Sequence, residues 1–131
     1  MPSAVIAITG ASGSVYSVRL IDILVNAGWE IFLTVTREGA INLKLECGMT
    51  PKDLSKKYGL RLEENQNLAA RSASGSAKFD AYVICPASGT TIGKIASGIS
   101  DNLATRSAIV ALKERRKLIT VSYTHLRAHE T

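Results

Sequence analysis

Apolar residues along the chain alternate between short continuous runs and stretches with helical spacing. The first run, Ala4 to Thr9, is rich in β-branched residues and stops at Gly10, a pattern typical of a strand buried on both faces. Apolar residues then recur at helical spacing over 15–27, and Gly28 is suited to end that helix. A second strand is predicted at 31–35, so the chain begins with a β-α-β unit.

The rest of the chain continues this alternation. Residues 59–79 are less regular and contain a loop of small residues at 72–76. The order of elements predicts an α/β fold with a doubly wound parallel sheet, a Rossmann- or flavodoxin-like three-layer sandwich. The further predicted elements are helices at 39–46, 51–57, 91–96 and from an Asp101 cap to about Arg115, and strands at 81–85 and 118–121, the last being the fourth strand.

Length and composition agree with one globular domain. The chain has 131 residues, of which 46% are hydrophobic and 21% are charged. No apolar run approaches the ~18 residues of a membrane-spanning helix, and the first residues lack the pattern of a secretory signal. These features predict a cytoplasmic protein without a membrane partner.

Charge, cysteine and histidine content disfavour several classes of partner. The net charge of +5 arises largely from one run, Lys113 to Lys117, and aromatic residues make up only 5%, so a nucleic-acid partner is not expected. Cys47 and Cys85 lack metal-site spacing and are expected to be buried thiols. His125 and His129 share a helical spacing but have no third ligand nearby, so no metal is predicted.

Small and hydroxyl-bearing residues follow three predicted strands. They occur at 9–13, 34–36 and 85–91, and the carboxyl ends of parallel strands meet at one edge of a sheet. Glycines let a backbone approach a ligand, and the first residues of a following helix offer free N–H groups, which suits a phosphate. The turn Gly10 to Gly13 lacks the full dinucleotide-binding spacing, so on its own it fits a structural turn equally well.

Charged residues on two predicted helices are further candidates. Arg106 and Lys113 are seven residues apart and share a face if their helix is continuous, where they could hold a phosphate. The alternative is that basic residues near a helix C-terminus, such as 115–117, only favour the helix dipole and solvate the surface. Glu46 could act in proton transfer if the fold turns it inward; otherwise it is a solvated charge.

Taken together, the motifs resemble the UbiX/Pad-type flavin prenyltransferases, a family of FMN-binding flavoproteins. The resemblance runs from about Val5 to Val121, and several ordered motifs with matching intervals make it specific. Those motifs are ITGASG with Tyr16 and Arg19-Leu20, Leu45-Glu46, Ser74-Gly-Ser76, CPAS from Cys85, and GISDNLATRSAIVALKERRKL.

The resemblance implies transfer of a dimethylallyl group from dimethylallyl monophosphate to reduced FMN. The prenylated flavin would serve a UbiD-type decarboxylase, and the protein would be a homo-oligomer that needs no metal. Ser12, Glu46 and Lys113 would be catalytic on the prenyl-phosphate side, to which Arg106 would also contribute. The residues implied to contact FMN are Gly10, Ala11, Ser12, Thr36, Ser88, Gly89, Thr90, Thr91 and Arg106.

The end of the chain departs from the family pattern. After Val121 the sequence SYTHLRAHET shares nothing with the family, so an incomplete FMN-binding domain is expected at 1–121 and a non-native or disordered tail at 122–131. A non-catalytic FMN-binding fragment is therefore one alternative. Another is a cysteine-decarboxylase-like flavoprotein, although that group relies on a histidine in its first helical region and this chain has none before His125.

A generic NAD-binding Rossmann domain is the remaining alternative. Such a domain expects an acidic residue at the end of the second strand to hold a ribose. Here the first residue after the second predicted strand is Thr36, which carries a hydroxyl rather than an acidic group. This favours the flavin interpretation.

Overall fold

The fold is a five-stranded parallel sheet covered by helices on both faces, seen in a computed structural model that describes residues 1–122. The tail predicted at 122–131, with His125 and His129, lies outside these residues except for Ser122. The elements are β1 Ser3–Ile8, α1 Ser14–Asn26, β2 Glu30–Val35, α2 Arg37–Cys47, α3 Pro51–Tyr58, β3 Arg61–Leu62, β4 Ala81–Ile84, α4 Gly89–Ala96, α5 Leu103–Lys113 and β5 Leu118–Thr120, with a 3-10 turn at Arg71–Ala73.

The strand order β3-β2-β1-β4-β5 confirms the predicted doubly wound α/β fold. The chain builds outward from β1 through β2 to β3, and later returns to the other side of β1 for β4 and β5. Ile8 pairs with Val35, and Ala7 pairs with Ile84, so the central strands end at nearly the same level. The boundary between β1 and β4 is the switch point at which ligands bind in such sheets.

Three buried clusters hold the layers together. Alternate residues of β1 point to opposite faces, so Ile6 and Ile8 pack on one side while Val5 and Ala7 pack on the other. The first side contacts α1, α2 and α3, and the second contacts α4 and α5. The helix residues fully buried in these clusters are Ile21, Leu43, Leu54, Ala104, Ala108 and Ala111.

The irregular stretch contains a strand that the hydrophobic pattern does not predict. Arg61 and Leu62 pair with Phe32 and Leu33 of β2, which makes 118–120 the fifth strand rather than the predicted fourth. A strand of two residues, one of them charged, is too short to show an alternation of apolar and polar positions. It forms because it pairs with β2, which the sequence pattern does not reveal.

The end of α5 also differs from the prediction. The helix is capped by Asn102 rather than Asp101, and it ends at Lys113 rather than near Arg115. Arg116 is not a solvating charge: its guanidinium donates to the carbonyls of Gly75 and Ala77 and, at 2.9 Å, to the Tyr82 hydroxyl. It therefore fixes the small-residue loop against β4.

The two cysteines are free thiols in different surroundings. Cys85 is buried, as expected, whereas Cys47 is only half-buried. Burial raises the pKa of the Cys85 thiol, so this side chain is neutral at physiological pH. Within residues 1–122, each helix is too short or too polar to cross a membrane.

Gly39 allows α2 to begin directly against β1. A Cβ at this position would lie 2.4 Å from the carbonyl oxygen of Ile8, a backbone atom with little freedom to move. Gly10 is similar, because its Cβ would lie 2.5 Å from the Cβ of Glu38. These two glycines set the close approach of α2 to the turn after β1.

We expect Gly39→Ala to destabilise the protein by about 1–3 kcal/mol, because the added methyl group overpacks a site bounded by backbone. Gly93→Ala is the matched control within a helix, since no atom lies within 4 Å of its Cβ position. That control should stabilise by about 0.5–1 kcal/mol through reduced backbone entropy of the unfolded chain. Urea denaturation measures both, and equal effects at the two positions would contradict the packing argument.

Candidate functional site

A cleft of about 320 Å³ lies where the central strands end. It contains residues from each of the three strand ends that the sequence analysis singled out. Its lining also includes Glu38, Lys94 and Asn102, which that analysis did not propose as site residues. The proposed residues among its lining are Gly10, Thr36, Ser88, Thr90 and Thr91.

Three helix N-caps line this cleft. Thr36 accepts a hydrogen bond from the Gly39 N–H at 3.0 Å to begin α2, and Ser88 accepts one from the Thr91 N–H at 3.1 Å to begin α4. Asn102 Oδ1 accepts one from the N–H of Thr105 at 2.9 Å, which begins α5. Because helix N-termini carry partial positive charge, the N-termini of α2 and α4 favour an anionic group in the cleft, whereas the first two N–H groups of α5 are already accepted by Asn65.

Lys94 adds a full positive charge to the lining. Its Nζ lies 3.1 Å from Oδ2 of Asp101, with the two side chains 31% and 55% exposed. Asp101 thus neutralises Lys94 instead of capping α5. Glu38 supplies an opposing negative charge at the start of α2.

The turn before α1 does not offer the free N–H groups that the sequence analysis expected. Oε1 of Glu46 accepts hydrogen bonds from the N–H groups of Gly13 and Ser14, at 3.1 and 2.8 Å, and from the Ser14 hydroxyl at 2.7 Å. The carboxylate of α2 therefore caps α1, whose N-cap residue Gly13 has no side chain to do so.

These contacts also determine the charge of Glu46. The hydrogen bond from the Ser14 hydroxyl lowers the pKa of the Glu46 carboxyl. Desolvation opposes this effect, whereas the N–H groups of Gly13 and Ser14 add to it, and the pKa lies below its ordinary value. Glu46 is consequently an anion at neutral pH. Ser14 was missed in the sequence because its contact with Glu46 joins residues distant along the chain.

The other proposed FMN contacts of the first turn and α4 lie outside the cleft lining. Ser12 and Gly89 are exposed, and Ala11 is half-buried. Only a ligand that extends beyond the cleft would contact these residues, so their roles in FMN binding stay predictions.

Arg106 and Lys113 lie on one continuous helix, α5, which satisfies the condition set by their spacing. Arg106 follows the cleft residue Asn102 by four positions and so lies on the same helical face. Its Nε atom is buried and has no hydrogen-bond partner among residues 1–122. Such an atom is suited to an added acceptor. Lys113 is exposed at the end of the helix.

Comparison with known proteins gives one consistent family. The sequence profile of the flavoprotein family matches residues 2–130. A flavin prenyltransferase UbiX from Archaeoglobus fulgidus is 38% identical over 118 residues, which cover 88% of this chain and 63% of that relative. The chain therefore spans less than two thirds of the length of this curated relative.

Solved structures agree with the sequence relatives. A structure of AnUbiX (PadA1) in complex with FMN and dimethylallyl pyrophosphate has a TM-score of 0.90 and 30% identity, covering 97% of this chain and 68% of that one. A dodecameric FMN-dependent UbiX-like decarboxylase from Escherichia coli O157:H7 has a TM-score of 0.88 and 28% identity, covering 93% and 67%.

We expect Ser14→Ala to raise the pKa of Glu46 towards its ordinary value, because the hydroxyl donor that most favours the carboxylate is lost. An NMR titration of the Glu46 carboxyl measures this shift. Ser12→Ala, in the same turn but outside the hydrogen bonds to Glu46, should leave the titration unchanged. An unaltered pKa in Ser14→Ala would show that the hydroxyl does not hold the carboxylate.

The same interaction links stability to pH. A carboxyl whose pKa is lower in the folded state stabilises the protein fully above its unfolded-state pKa, and this contribution is lost as pH falls through the lowered value. Denaturation of the native protein and of Glu46→Gln should therefore differ most near neutral pH and converge in acid.

Proposed function

Because this chain belongs to the flavoprotein family and, within it, to the UbiX-type flavin prenyltransferases, we propose that it binds FMN and transfers a dimethylallyl group to the reduced flavin. The observation that carries the proposal is the convergence of the N-caps Thr36, Ser88 and Asn102 on one cleft. This arrangement suits the phosphate of a mononucleotide. The chain spans 63% of the length of the Archaeoglobus fulgidus relative, so the activity of the whole protein is part of this proposal.

The chemistry of the cleft fits the FMN phosphate. Hydroxyl groups of Thr36, Thr90 and Thr91 would donate hydrogen bonds to phosphate oxygens, while Ser88, whose hydroxyl donates to that of Thr91, holds the start of α4. The helix N-termini would stabilise the negative charge. Lys94 would balance part of that charge by exchanging its contact with Asp101 for the phosphate. The buried Nε of Arg106, which has no hydrogen-bond partner among residues 1–122, would donate to a phosphate oxygen.

The prenyl-phosphate side is assigned to Ser12, Glu46 and Lys113. The reduced flavin supplies the nucleophile for the allylic carbon, and the carbon–oxygen bond to phosphate breaks. Lys113 and Arg106 would stabilise the charge of the leaving phosphate, with Ser12 as a hydrogen-bond donor. Glu46, held as a carboxylate by Ser14, would stabilise positive charge on the allyl group rather than donate a proton.

Assembly and cellular context complete the proposal. Val15 and Leu45, each adjacent to the Ser14–Glu46 contact, are 55% and 78% exposed, and Ile41 on the same helix as Leu45 is 53% exposed. Apolar side chains exposed together suit a homo-oligomeric interface. We place the protein in the cytoplasm, where free thiols such as Cys85 persist, and assign its product to a UbiD-type decarboxylase.

Fluorescence titration should show that the protein quenches the fluorescence of FMN and binds FMN in preference to NAD, because the cleft suits one phosphate and the residue directly after β2 is the hydroxyl-bearing Thr36 rather than an acidic residue. Arg106→Ala should raise the Kd for FMN by about 10- to 100-fold through loss of a charged hydrogen bond. Arg115→Ala removes an exposed cation away from the cleft and should leave the Kd unchanged. Absence of FMN quenching by the native protein would reject the proposed ligand.

Prenyl transfer should be tested anaerobically with reduced FMN and either dimethylallyl monophosphate or the pyrophosphate. Mass spectrometry would detect FMN carrying one added dimethylallyl unit. Glu46→Gln should slow its formation by about 100-fold, because a charge that stabilises the transition state is lost.

The assay should include a chimera that adds the remaining C-terminal segment of a UbiX relative. Product from the chimera alone would show that these site residues are functional but that the reaction needs that segment. If both proteins bind FMN and neither forms product, the chain is an FMN-binding protein without prenyltransferase activity.

A further inference from the structure

The side chain of Thr9 joins the two central strand ends that border the cleft. Thr9 follows β1, is fully buried, and donates its hydroxyl hydrogen to the carbonyl of Pro86 at 2.6 Å. The same oxygen accepts the N–H of Ser88 at 2.8 Å. The Thr9 N–H also donates to the Pro86 carbonyl, at 3.2 Å.

These contacts fix the residue that starts α4. The N–H of Ser88 donates to the Thr9 hydroxyl. The Ser88 hydroxyl accepts a hydrogen bond from the Thr91 N–H at 3.1 Å and donates one to the Thr91 hydroxyl at 2.9 Å. Both Ser88 and Thr91 line the cleft. A rotation of the Ser88 backbone would therefore move the hydroxyl groups and the helix N-terminus that face an anion.

Other contacts do not replace the Thr9 hydroxyl. In a variant without this hydroxyl, the Pro86 carbonyl would still accept a hydrogen bond from the Thr9 N–H. The N–H of the half-buried Ser88 would lose its acceptor. Leaving a buried donor unsatisfied is costly, so the start of α4 would shift to find another partner. The effect would be confined to the α4 side of the cleft, because α2 and α5 have their own caps.

We propose that Thr9 is a positioning residue for phosphate recognition. Its hydroxyl fixes Ser88 and the N-terminus of α4 in the orientation that binds the phosphate of the flavin nucleotide. This inference rests on the proposed binding of FMN. It assigns to Thr9 a specific effect on the phosphate group, separate from the isoalloxazine ring and from general stability.

The test compares FMN with riboflavin, which lacks the phosphate. Thr9→Val keeps the shape of the side chain and removes both hydroxyl hydrogen bonds, and Thr9→Ala removes them without adding a methyl group at the hydroxyl position. Each variant should raise the Kd for FMN by about tenfold, the equivalent of one or two hydrogen bonds. The Kd for riboflavin should stay within about twofold, and Thr9→Ser, which keeps the hydroxyl, should retain native FMN affinity.

Ser107→Ala is the matched control, since Ser107 is also fully buried and its hydroxyl donates only within α5, to the carbonyl of Ala104 at 3.0 Å. It should leave the ratio of the two Kd values unchanged. Amide hydrogen exchange gives an independent readout: the N–H of Ser88 should lose protection in both Thr9 variants and keep it in Ser107→Ala.

The possible outcomes separate this inference from the proposed function. If the native protein does not bind FMN, the proposed function fails first. If the native protein binds FMN but Thr9→Val and Thr9→Ala weaken FMN and riboflavin equally, or weaken neither, Thr9 has no role in phosphate recognition. Failure of both variants to fold would also overturn the inference, because it would assign Thr9 to the core alone.

Discussion

The parallel pairing of β1 with β2 and β4 is the constraint on which the rest of the structure depends. It places Ile8 beside Val35 and Ala7 beside Ile84, so three chain segments leave the sheet at one level. The loops after β2 and β4 turn there into α2 and α4, so the N-caps Thr36 and Ser88 come together because the strands end together. Asn102, the N-cap of α5, reaches the cleft through the connection after α4. Burial of Ile6 and Leu33 on one face and Val5 and Ile84 on the other fixes this register, since a slip of one residue would reverse both faces.

The site is electrically divided as a result. The N-terminus of α1 is already satisfied by the Glu46 carboxylate, and that of α5 by Asn65 and Asn102, whereas those of α2 and α4 border the cleft. The Glu46 carboxylate thus lies at the start of α1, whereas the cleft combines the partial positive charge of helix N-termini with the opposite side-chain charges of Lys94 and Glu38. In the prenyl transfer proposed above, this arrangement would keep the Glu46 carboxylate apart from the groups that bind phosphate.

Sequence patterns predicted the features that depend on local chemistry. Runs such as Ala4 to Thr9 are long and apolar enough to identify the central strands, and topology then brings Gly10, Thr36 and Ser88 together. The features that were missed depend on distant partners. β3 exists because β2 offers an open edge to Arg61 and Leu62, and the Ser14–Glu46 contact forms only when α2 packs beside α1. Asn102 rather than Asp101 caps α5, and the first turn of this helix is also held by the distant Asn65, which accepts the N–H groups of Leu103 and Ala104.

Arg116 has a consequence for the entropy of the chain. The connection from β3 to β4 is long and has little regular structure, so closing it restricts many conformations. By binding the carbonyls of Gly75 and Ala77, Arg116 divides this connection into two shorter segments, one of which ends at β4. The order of the loop is thereby tied to the residues after α5, although the two are far apart in sequence. A cation in the connection after α5 thus acts as a non-covalent cross-link that restrains the surface beside the sheet.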